Sequence, residues 1–403
     1  MSSRWPTVPM RSEVKMLSGG TPSKSEPNFW NGNIPWVGSG EMTQRRIRDT
    51  ELHVTELGAE NGARLIPENT VLVVVRGMSL AKEFRISLTA RAVTFNQDLK
   101  ALKPSPKIDP VFLFYYLQSQ RHAIRDSATD ASHGTKKIES RVLEEWPLPV
   151  VEKVEQQRIA SILSAYDDLI ENSRRRIELL ERSLRLLYRE WFVHFRFPGH
   201  EHVKIRDALP EGWKRTPIAS LCTVGRGGSP RPIREFLGGS VPWFKIGDAT
   251  ASGSPFVFST AEKITEGGVK NSVLLNPGEL ILSNSATCGI PFFTGVAGCI
   301  HDGWLHFQRL QRVSKWFLYC ALLEKQREIL AGIGEGATQK NLNTDYVGRQ
   351  FLLLPQDEAL LRAFDEIAKD MFRQIMVLTQ LNLRAACTRD LLLPRLMNGE
   401  IWA

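Results

Sequence analysis

The stretch GNIPWVGSGEM, Gly32–Met42, has a near copy, GSVPWFKIGDA, at Gly239–Ala249. Other phrases recur around the two stretches in the same order: GGTPSK as GGSPRP, LIPENTVLVVV as LLNPGELILSN, and FLFYYLQSQ as WFLYCALLEKQ. A repeated order at a steady spacing is typical of an internal duplication. The sequence therefore predicts two copies of one unit of about 200 residues, in which the recurring IPW and VPW tripeptides belong to a shared core.

Each copy begins with a segment rich in glycine, proline and short β-branched runs, such as TVLVVV and LILS. This composition favours short strands joined by turns. One helix is predicted within each strand-rich segment, over PVFLFYYLQSQRHAI in the first copy and KWFLYCALLEKQREIL in the second.

A different pattern follows in each copy, beginning with Val154–Phe195, which contains neither proline nor glycine. Apolar residues recur there in steps of three and four, with Ser173 as the polar member of the series, and the second copy has the same steps with Asn382 as its polar member. Such steps predict a heptad seam between two long helices, each about 50–60 Å in length. A core helix inside a compact domain is the alternative. The seam residues are Ile159, Leu163, Tyr166, Ile170, Ile177, Leu180, Leu184, Leu187 and Trp191 in the first copy, and Leu361, Phe364, Ala368, Met371, Ile375, Leu378, Ala385 and Leu392 in the second.

Together these patterns predict an α+β protein. Two strand-rich globules are related by a pseudo-twofold axis and separated by two long antiparallel coiled-coil helices. Ser173 and Asn382 are candidates for fixing the register of the helix pair. If each globule reads DNA, the site consists of two half-sites at a spacing that the helices set.

The charge is unevenly distributed along the chain, whose formal net charge is +8. Residues 1–150 carry 20 basic and 16 acidic side chains and residues 196–350 carry 18 and 13, whereas residues 151–195 balance at 8 and 8. A polyanion such as DNA would explain an excess confined to the two globules. A basic protein without such a partner is the alternative.

Composition also bounds the cellular setting. No apolar run reaches the roughly 20 residues that cross a bilayer, and the first residues, MSSRWPTVPMRSEVK, lack a secretory apolar core. The five cysteines are scattered and form no CxxC pair, which favours reduced thiols. We therefore expect a cytoplasmic protein without a membrane partner.

Several stretches resemble the specificity subunit of type I restriction–modification systems, the HsdS family. They are the two IPW and VPW phrases, VEQQRIASILSAYDDLIE and LLYREWFVHFRFPG at the two ends of the first long helix, GATQKNL before LLLP, and TRDLLLPRLMNGEI near residue 400. The resemblance covers essentially the whole chain. It implies a target recognition domain 1 over residues 1–150 and a target recognition domain 2 over residues 199–355. It also implies a first spacer helix, the central conserved region, over 151–198, and a second, the C-terminal conserved region, over 356–403.

The resemblance also implies partners. Subunits of this family bind double-stranded DNA, dock two modification (methyltransferase) subunits and, with them, restriction/translocase subunits. One partner contact is predicted at EQQR, and another at the apolar helix ends, where packing against the neighbouring globule is the alternative. The second helix opens PQDEALLRAF, so a contact built on the first motif is expected to be asymmetric. The predicted partner-binding residues are Gln156, Gln157, Arg158, Trp191, Phe192, Phe195, Leu393, Leu396 and Met397.

No catalytic motif is recognisable. The chain has no (D/N)PP(Y/F) tetrapeptide for a flipped adenine and no GxxxxGK(S/T) phosphate loop, and AGIGEGA follows a helix-like stretch instead of a strand. His301, Asp302 and His306 are interpreted as strand-end polar residues, with a metal site as the alternative. We therefore expect a non-catalytic chain that binds no cofactor. S-adenosylmethionine, ATP and Mg²⁺ are implied for its partner subunits.

Candidate DNA contacts are polar residues beside the duplicated phrases. Lysines in the matched GTKKI and GATQKNL segments suit phosphates, with a solvated lysine loop as the alternative. Arginines after the GGTPSK, GGSPRP and PWVGSG phrases suit guanine edges, although TQRRIRD is also compatible with an exposed helical turn. The predicted DNA-binding residues are Lys24, Arg45, Arg46, Arg48, Lys136, Lys137, Arg231, Arg234, Lys245, Gln339, Lys340 and Asn341.

Two other functional classes compete with a DNA-reading subunit. A coiled-coil scaffold whose globules bind protein or glycan does not explain why the basic excess lies in the globules. A self-sufficient DNA-modifying enzyme is opposed by the missing catalytic tetrapeptide.

Overall fold

The computed structural model describes residues 5–131, 134–285, 287–331 and 342–402. The chain forms two compact units, unit 1 with Met1–Asp168 and Ala385–Ala403, and unit 2 with Leu169–Arg384. Each unit contains a strand-rich globule and part of each of two long helices, so the α+β class predicted from the sequence is confirmed. The four domain bounds stay a prediction.

Unit 1 consists of short strands with two short helices and one long helix inside its globule, and then the first long helix of the pair begins. Its strands are β1 (Thr7–Pro9), β2 (Val14–Ser18), β3 (Trp30–Val37), β4 (Arg46–Ile47), β5 (His53–Val54), β6 (Val71–Val74), β7 (Arg76–Gly77), β8 (Ile86–Thr89), β9 (Thr94–Phe95), β10 (Leu99–Pro104), β11 (Thr129–Asp130), β12 (Lys136–Lys137) and β13 (Pro147–Pro149). Its helices are α1 (Glu56–Glu60), α2 (Pro110–Asp126), α3 (Ser140–Glu144) and the start of α4 (Lys153–Phe192).

Two sheets carry the core of unit 1. A five-stranded sheet has the order β2-β10-β6-β8-β4, and a three-stranded sheet has the order β5-β3-β9, with β3 and β9 parallel. All four residues of β6 are buried, as expected for an apolar run between two covered faces. Helix α2 begins where Asp109 accepts from the N–H groups of Val111 and Phe112, and it buries its aromatic face in the same core.

Unit 2 repeats this plan. Its strands are β14 (Ile205–Arg206), β15 (Leu209–Pro210), β16 (Trp213–Pro217), β17 (Thr223–Arg226), β18 (Leu237–Phe244), β19 (Phe256–Val257), β20 (Lys263–Ile264), β21 (Val273–Leu275), β22 (Leu280–Ser283), β23 (Pro291–Thr294), β24 (Gly298–Ile300), β25 (Trp304–Gln308) and β26 (Phe351–Pro355). Its helices are α5 (Ile246–Ala251), α6 (Glu266–Val269), α7 (Lys315–Ala331), α8 (Thr344–Gly348) and most of α9 (Ala359–Met397).

The sheets of unit 2 have the strand order that the duplication predicts. The five-stranded sheet β17-β25-β22-β23-β19 corresponds to β2-β10-β6-β8-β4, and β20-β18-β24 corresponds to β5-β3-β9. In both units the strand that carries the duplicated tryptophan runs parallel to one of its two neighbours, β3 to β9 with Trp36 beside Thr94, and β18 to β24 with Trp243 beside Cys299. The recurring IPW and VPW phrases therefore build equivalent strands, and both tryptophans are buried.

The long helices pack antiparallel inside each unit. In unit 1, the beginning of α4 lies beside the end of α9, with Ile159, Leu163 and Leu396 in one apolar cluster. In unit 2, the end of α4 lies beside the beginning of α9, where Phe192 and Phe364 meet with ring centroids 5.2 Å apart. The heptad positions thus face a partner helix and the adjoining globule together, because the same clusters contain strand residues.

Glu181, on the α4 segment of unit 2, provides a pH-dependent test of this packing. Burial raises the pKa of its carboxyl to about 7, although Arg185 and the Tyr319 hydroxyl oppose the shift. The folded pKa is above the ordinary value, so the contribution of the protonated carboxyl is complete at low pH and is lost as the pH rises toward 7. We expect Glu181→Gln to raise the free energy of unfolding at pH 8 by about 1–2 kcal/mol and to change it little at pH 4.5. Thermal unfolding at both pH values measures this. Glu171→Gln, at an exposed position of the same helix, is the control, and an equal effect at both pH values would contradict the prediction.

Candidate nucleic-acid interface

The parallel strands β18 and β24 end side by side in unit 2, and the residues that follow them line a cleft of about 840 Å³. Lys245 follows β18, and His301 and Asp302 follow β24. The loop of the GGSPRP phrase forms the opposite wall. The lining residues are Ser229, Pro230, Arg231, Pro232, Ile233, Arg234, Trp243, Lys245, His301 and Asp302.

The glycine loop lies directly against the end of β24. A Cβ on Gly227 would stand 2.2 Å from the carbonyl oxygen of His301, so only glycine fits this approach. The next residues of the loop then reach the turn, where Ser229 donates its hydroxyl to Asp302 Oδ1 at 2.6 Å. This hydrogen bond holds the pKa of the Asp302 carboxyl below its ordinary value, and the side chain is 45% exposed. Asp302 is therefore an oriented carboxylate at the cleft.

His301, Asp302 and Gly303 form what we call the strand-end turn of unit 2. The backbone N–H of Gly303 donates to His301 Nδ1 at 2.7 Å, and the ring lies so close that a Cβ on Gly303 would stand 2.0 Å from its Cε1. Burial lowers the pKa of His301. The ring is thus neutral near pH 7, with Nδ1 as the acceptor and the proton on Nε2.

Cations surround the strand-end turn. Arg231 is 82% exposed and has a guanidinium nitrogen 4.0 Å from Asp302 Oδ2, and Arg234 is exposed on the same loop. Lys245 lies over the ring of Trp243, with Nζ 4.9 Å from the centroid, and pairs with Glu262 at 2.6 Å. Two of the three predicted cations are therefore exposed at the rim of the cleft, while Lys245 is engaged by Trp243 and Glu262.

The structure places the predicted residues of unit 1 in different surroundings. Lys24 and Arg48 are exposed, whereas Arg45 is bound to the carboxylate of Asp167 on α4 and Arg46 donates to Asn69 Oδ1 at 3.4 Å. The alternative of a helical turn at TQRRIRD is wrong, because Arg46 and its neighbour form β4. The guanidinium of Arg45 is engaged inside the unit, and its predicted DNA contact stays a prediction.

The lysine segment of unit 1 is also more ordered than a solvated loop. Lys136 and Lys137 form β12, where they pair with Asp130 at 3.2 Å and with Glu139 at 2.5 Å. Their predicted phosphate contacts stay predictions. Of the second-copy residues, Arg231, Arg234 and Lys245 line the same cleft. Gln339, Lys340 and Asn341 lie outside the described residues.

Among the predicted partner contacts, Gln156 is corrected by its burial. Its side chain is fully enclosed, accepting from the N–H of Asp109 at 2.8 Å and donating to the carbonyls of Lys107 and Val151. It joins the start of α4 to the globule of unit 1 and leaves no surface for another chain. Gln157 is exposed, as is Arg158, which pairs with Glu155 at 3.7 Å.

The apolar helix ends follow the packing alternative. Trp191 and Phe192 are buried against unit 2 residues such as Phe364, and Phe195 is half-buried beside Trp213. The end of α9 is likewise buried in the core of unit 1. These buried residues are Leu393, Leu396 and Met397. A partner contact by any of them stays a prediction.

Two sets of contacts could not be predicted from the sequence. The first is the hydrogen bond between the glycine loop and Asp302: the sequence predicts that His301 and Asp302 lie at a strand end, which the structure confirms directly after β24, but only the fold brings Ser229 to them. The second set is the polar cluster around Asp167, whose members are distant in sequence. His306 lies on β25 and is buried, and among the described residues no group of His, Cys, Asp and Glu side chains could hold a metal ion.

The fold defines the class of this protein, in which one strand-rich α+β unit is present in two copies and combined with two long helices. A family model described as the type I restriction modification DNA specificity domain matches residues 5–182. The chain is 25% identical to the type I restriction enzyme MjaIX specificity subunit of Methanocaldococcus jannaschii, over 98% of this chain and 93% of that protein. It is 33% identical to the EcoR124I/EcoR124II specificity subunit of Escherichia coli, over 47% of this chain and 48% of that protein.

A solved structure shows the same fold. It is the S subunit of a type I restriction–modification system from M. genitalium, with a TM-score of 0.66, 18% identity, and coverage of 98% of this chain and 96% of that chain. Residues 5–182 therefore match the DNA specificity domain of type I restriction–modification systems, and over nearly its whole length the chain is similar to a specificity subunit of such a system. None of the described helices is long and apolar enough to span a membrane.

Proposed function

We propose that this chain reads a bipartite, asymmetric DNA site, with one half read by each globule and the gap set by the long helices. The observation that supports this most strongly is the repeated scaffold. Units 1 and 2 have the same strand order and the same parallel strand pair, yet the side chains at the strand ends differ. Two globules with the same backbone fold but different side chains at equivalent positions are suited to two half-sites of different sequence.

The cleft of unit 2 supplies the chemistry. Exposed arginines at its rim suit the phosphate backbone, which fixes register and orientation. The oriented carboxylate of Asp302 and the Nε2–H of His301 suit base edges, which carry sequence information. We propose no catalytic role and no cofactor for this chain.

The methyl transfer and the cleavage then belong to partners. In this proposal two modification subunits bring S-adenosylmethionine, restriction/translocase subunits bring ATP and Mg²⁺, and the assembly acts in the cytoplasm. Gln157 and Arg158, which are exposed on the first turns of α4, remain candidates for the contact with a modification subunit.

The test is long-read mapping of DNA methylation in a host without other methylases. The host expresses this chain together with the modification subunit encoded beside it in the genome. We expect methylated adenines in a two-part motif with a fixed gap, and no methylation when the chain is omitted. Deleting residues 206–350, the strand-rich part of unit 2, is expected to abolish the complete motif. A single continuous motif, or methylation that persists without the chain, would refute the proposal.

A further inference from the structure

The strand-end turn of unit 2 has a counterpart in unit 1 with the same hydrogen bonds. Asn96 directly follows β9, and its N–H donates to the carbonyl of Val37 at 3.0 Å, as the N–H of His301 donates to that of Phe244 at 3.3 Å. The N–H of Asp98 donates to Asn96 Oδ1 at 3.1 Å. In unit 2 the equivalent hydrogen bond runs from the N–H of Gly303 to His301 Nδ1.

The link to the glycine loop is also repeated. In unit 1 the hydroxyl of Thr21 donates to Gln97 Oε1 at 2.7 Å, and in unit 2 that of Ser229 donates to Asp302 Oδ1 at 2.6 Å. The scaffold therefore holds one pair of side chains in the same way twice, as Asn–Gln in unit 1 and as His–Asp in unit 2. Conserved geometry with altered donors and acceptors is what a specificity position requires.

We propose that the strand-end turn sets the base specificity of each unit, and that His301 and Asp302 read base edges in the half-site of unit 2. This inference rests on the function proposed above and names the residues that carry it. Asp302 Oδ1 accepts from the hydroxyl of Ser229. Oδ2, which lies 4.0 Å from a guanidinium nitrogen of Arg231, is therefore the oxygen that can accept from a base at the cleft. A carboxylate only accepts hydrogen bonds, so it selects the amino group of cytosine and disfavours a base that offers an oxygen there.

His301 adds a donor beside this acceptor. Its Nδ1 is engaged by Gly303, so the Nε2–H is the group that can meet an acceptor such as guanine O6 or N7. The exposed guanidinium of Arg231 offsets the repulsion between the Asp302 carboxylate and the phosphates. Unit 1 presents an exposed amide at Gln97 instead, a side chain that both donates and accepts and suits adenine.

The double substitution H301N/D302Q tests the proposal with minimal disturbance. It gives unit 2 the pair found in unit 1, and the new side chains retain acceptors for the Gly303 N–H and the Ser229 hydroxyl. The full chain in complex with its modification subunit is titrated against duplexes that carry the mapped site, each with one base pair changed. The control is E201Q/H202N, which likewise removes one carboxylate and one imidazole, but from two adjacent exposed residues of unit 2.

We expect the variant to lose about tenfold or more of its discrimination at one or two adjacent positions of one half-site, with cytosine no longer preferred there. The other half-site, the gap and the behaviour of the control should stay as in the wild type. Unchanged discrimination at every position would overturn the inference, and so would an affinity that falls by one common factor on all duplexes. If the double variant binds no duplex, H301N and D302Q are measured separately, and a uniform loss in both again overturns it. A wild-type chain without a two-part site would instead refute the function on which the inference rests.

Discussion

Replacing Asp167 with alanine is expected to destabilise unit 1 by about 3 kcal/mol and to lower its melting temperature by roughly 6–12 °C. Asp167 lies on α4, and its carboxylate accepts from Arg45, from the Tyr115 hydroxyl at 2.6 Å and from Arg389 on α9 at 2.6 Å. Three segments that are remote in sequence thus share one carboxylate. Its loss leaves the guanidinium of Arg389, whose side chain is only 9% exposed, with Asp390 as its remaining anion.

The pH dependence identifies this carboxylate. Burial alone would raise the pKa of Asp167, but the three donors outweigh it and the net shift is downward. A folded pKa below the ordinary value means that the carboxylate stabilises the fold above about pH 4 and that this contribution is lost as the pH falls through the folded pKa. The stability difference between the wild type and Asp167→Ala should therefore be complete at pH 7 and shrink in acid.

Asp168→Ala is the matched control, because the neighbouring side chain is exposed on the same helix. Thermal unfolding, with hydrogen exchange of α2 and the start of α4 as a local readout, separates unit 1 from the rest of the chain. If Asp167→Ala unfolds like Asp168→Ala at pH 7, the cluster contributes no net stability.

The fate of Arg45 shows what the sequence could reveal and what it could not. The duplication, the two long helices and the strand-rich globules were predictable, because order, periodicity and turn residues are local properties of a chain. An arginine in TQRRIRD looks like a free cation, and only the fold brings Asp167 to it. Gln156 is a similar case, since its three hydrogen-bond partners belong to backbone that the sequence does not place nearby.

The duplication also hides a difference in how the two units are stabilised. Tyr115 on α2 and Tyr319 on α7 occupy matching helices, and each hydroxyl donates to a carboxylate on α4, Tyr115 to Asp167 at 2.6 Å and Tyr319 to Glu181 at 3.5 Å. Asp167 also accepts from two arginines, whereas the ring of Tyr319 packs on Phe372 with centroids 5.0 Å apart, so charged hydrogen bonds contribute more in unit 1 and aromatic packing more in unit 2. The heptad pattern indicated that both helices pack, but the chemistry of each contact depended on residues from the globules.

Replacing Phe364 with alanine is therefore expected to have the larger effect, destabilising unit 2 by about 3–5 kcal/mol and lowering its melting temperature by roughly 10 °C or more. The side chain is fully buried on α9, with its ring centroid 5.2 Å from that of Phe192 and 5.8 Å from that of Phe317, so its removal leaves a cavity where α4, α7 and α9 meet.

Phe351→Ala is the control, because that side chain is 52% exposed on β26 and its removal should cost little stability. Unlike Asp167→Ala, the Phe364 variant should lose the same stability across the acid range, since no charge is removed. A pH-dependent loss, or a loss no greater than that of Phe351→Ala, would mean that the aromatic cluster does not hold the helices of unit 2 to its globule.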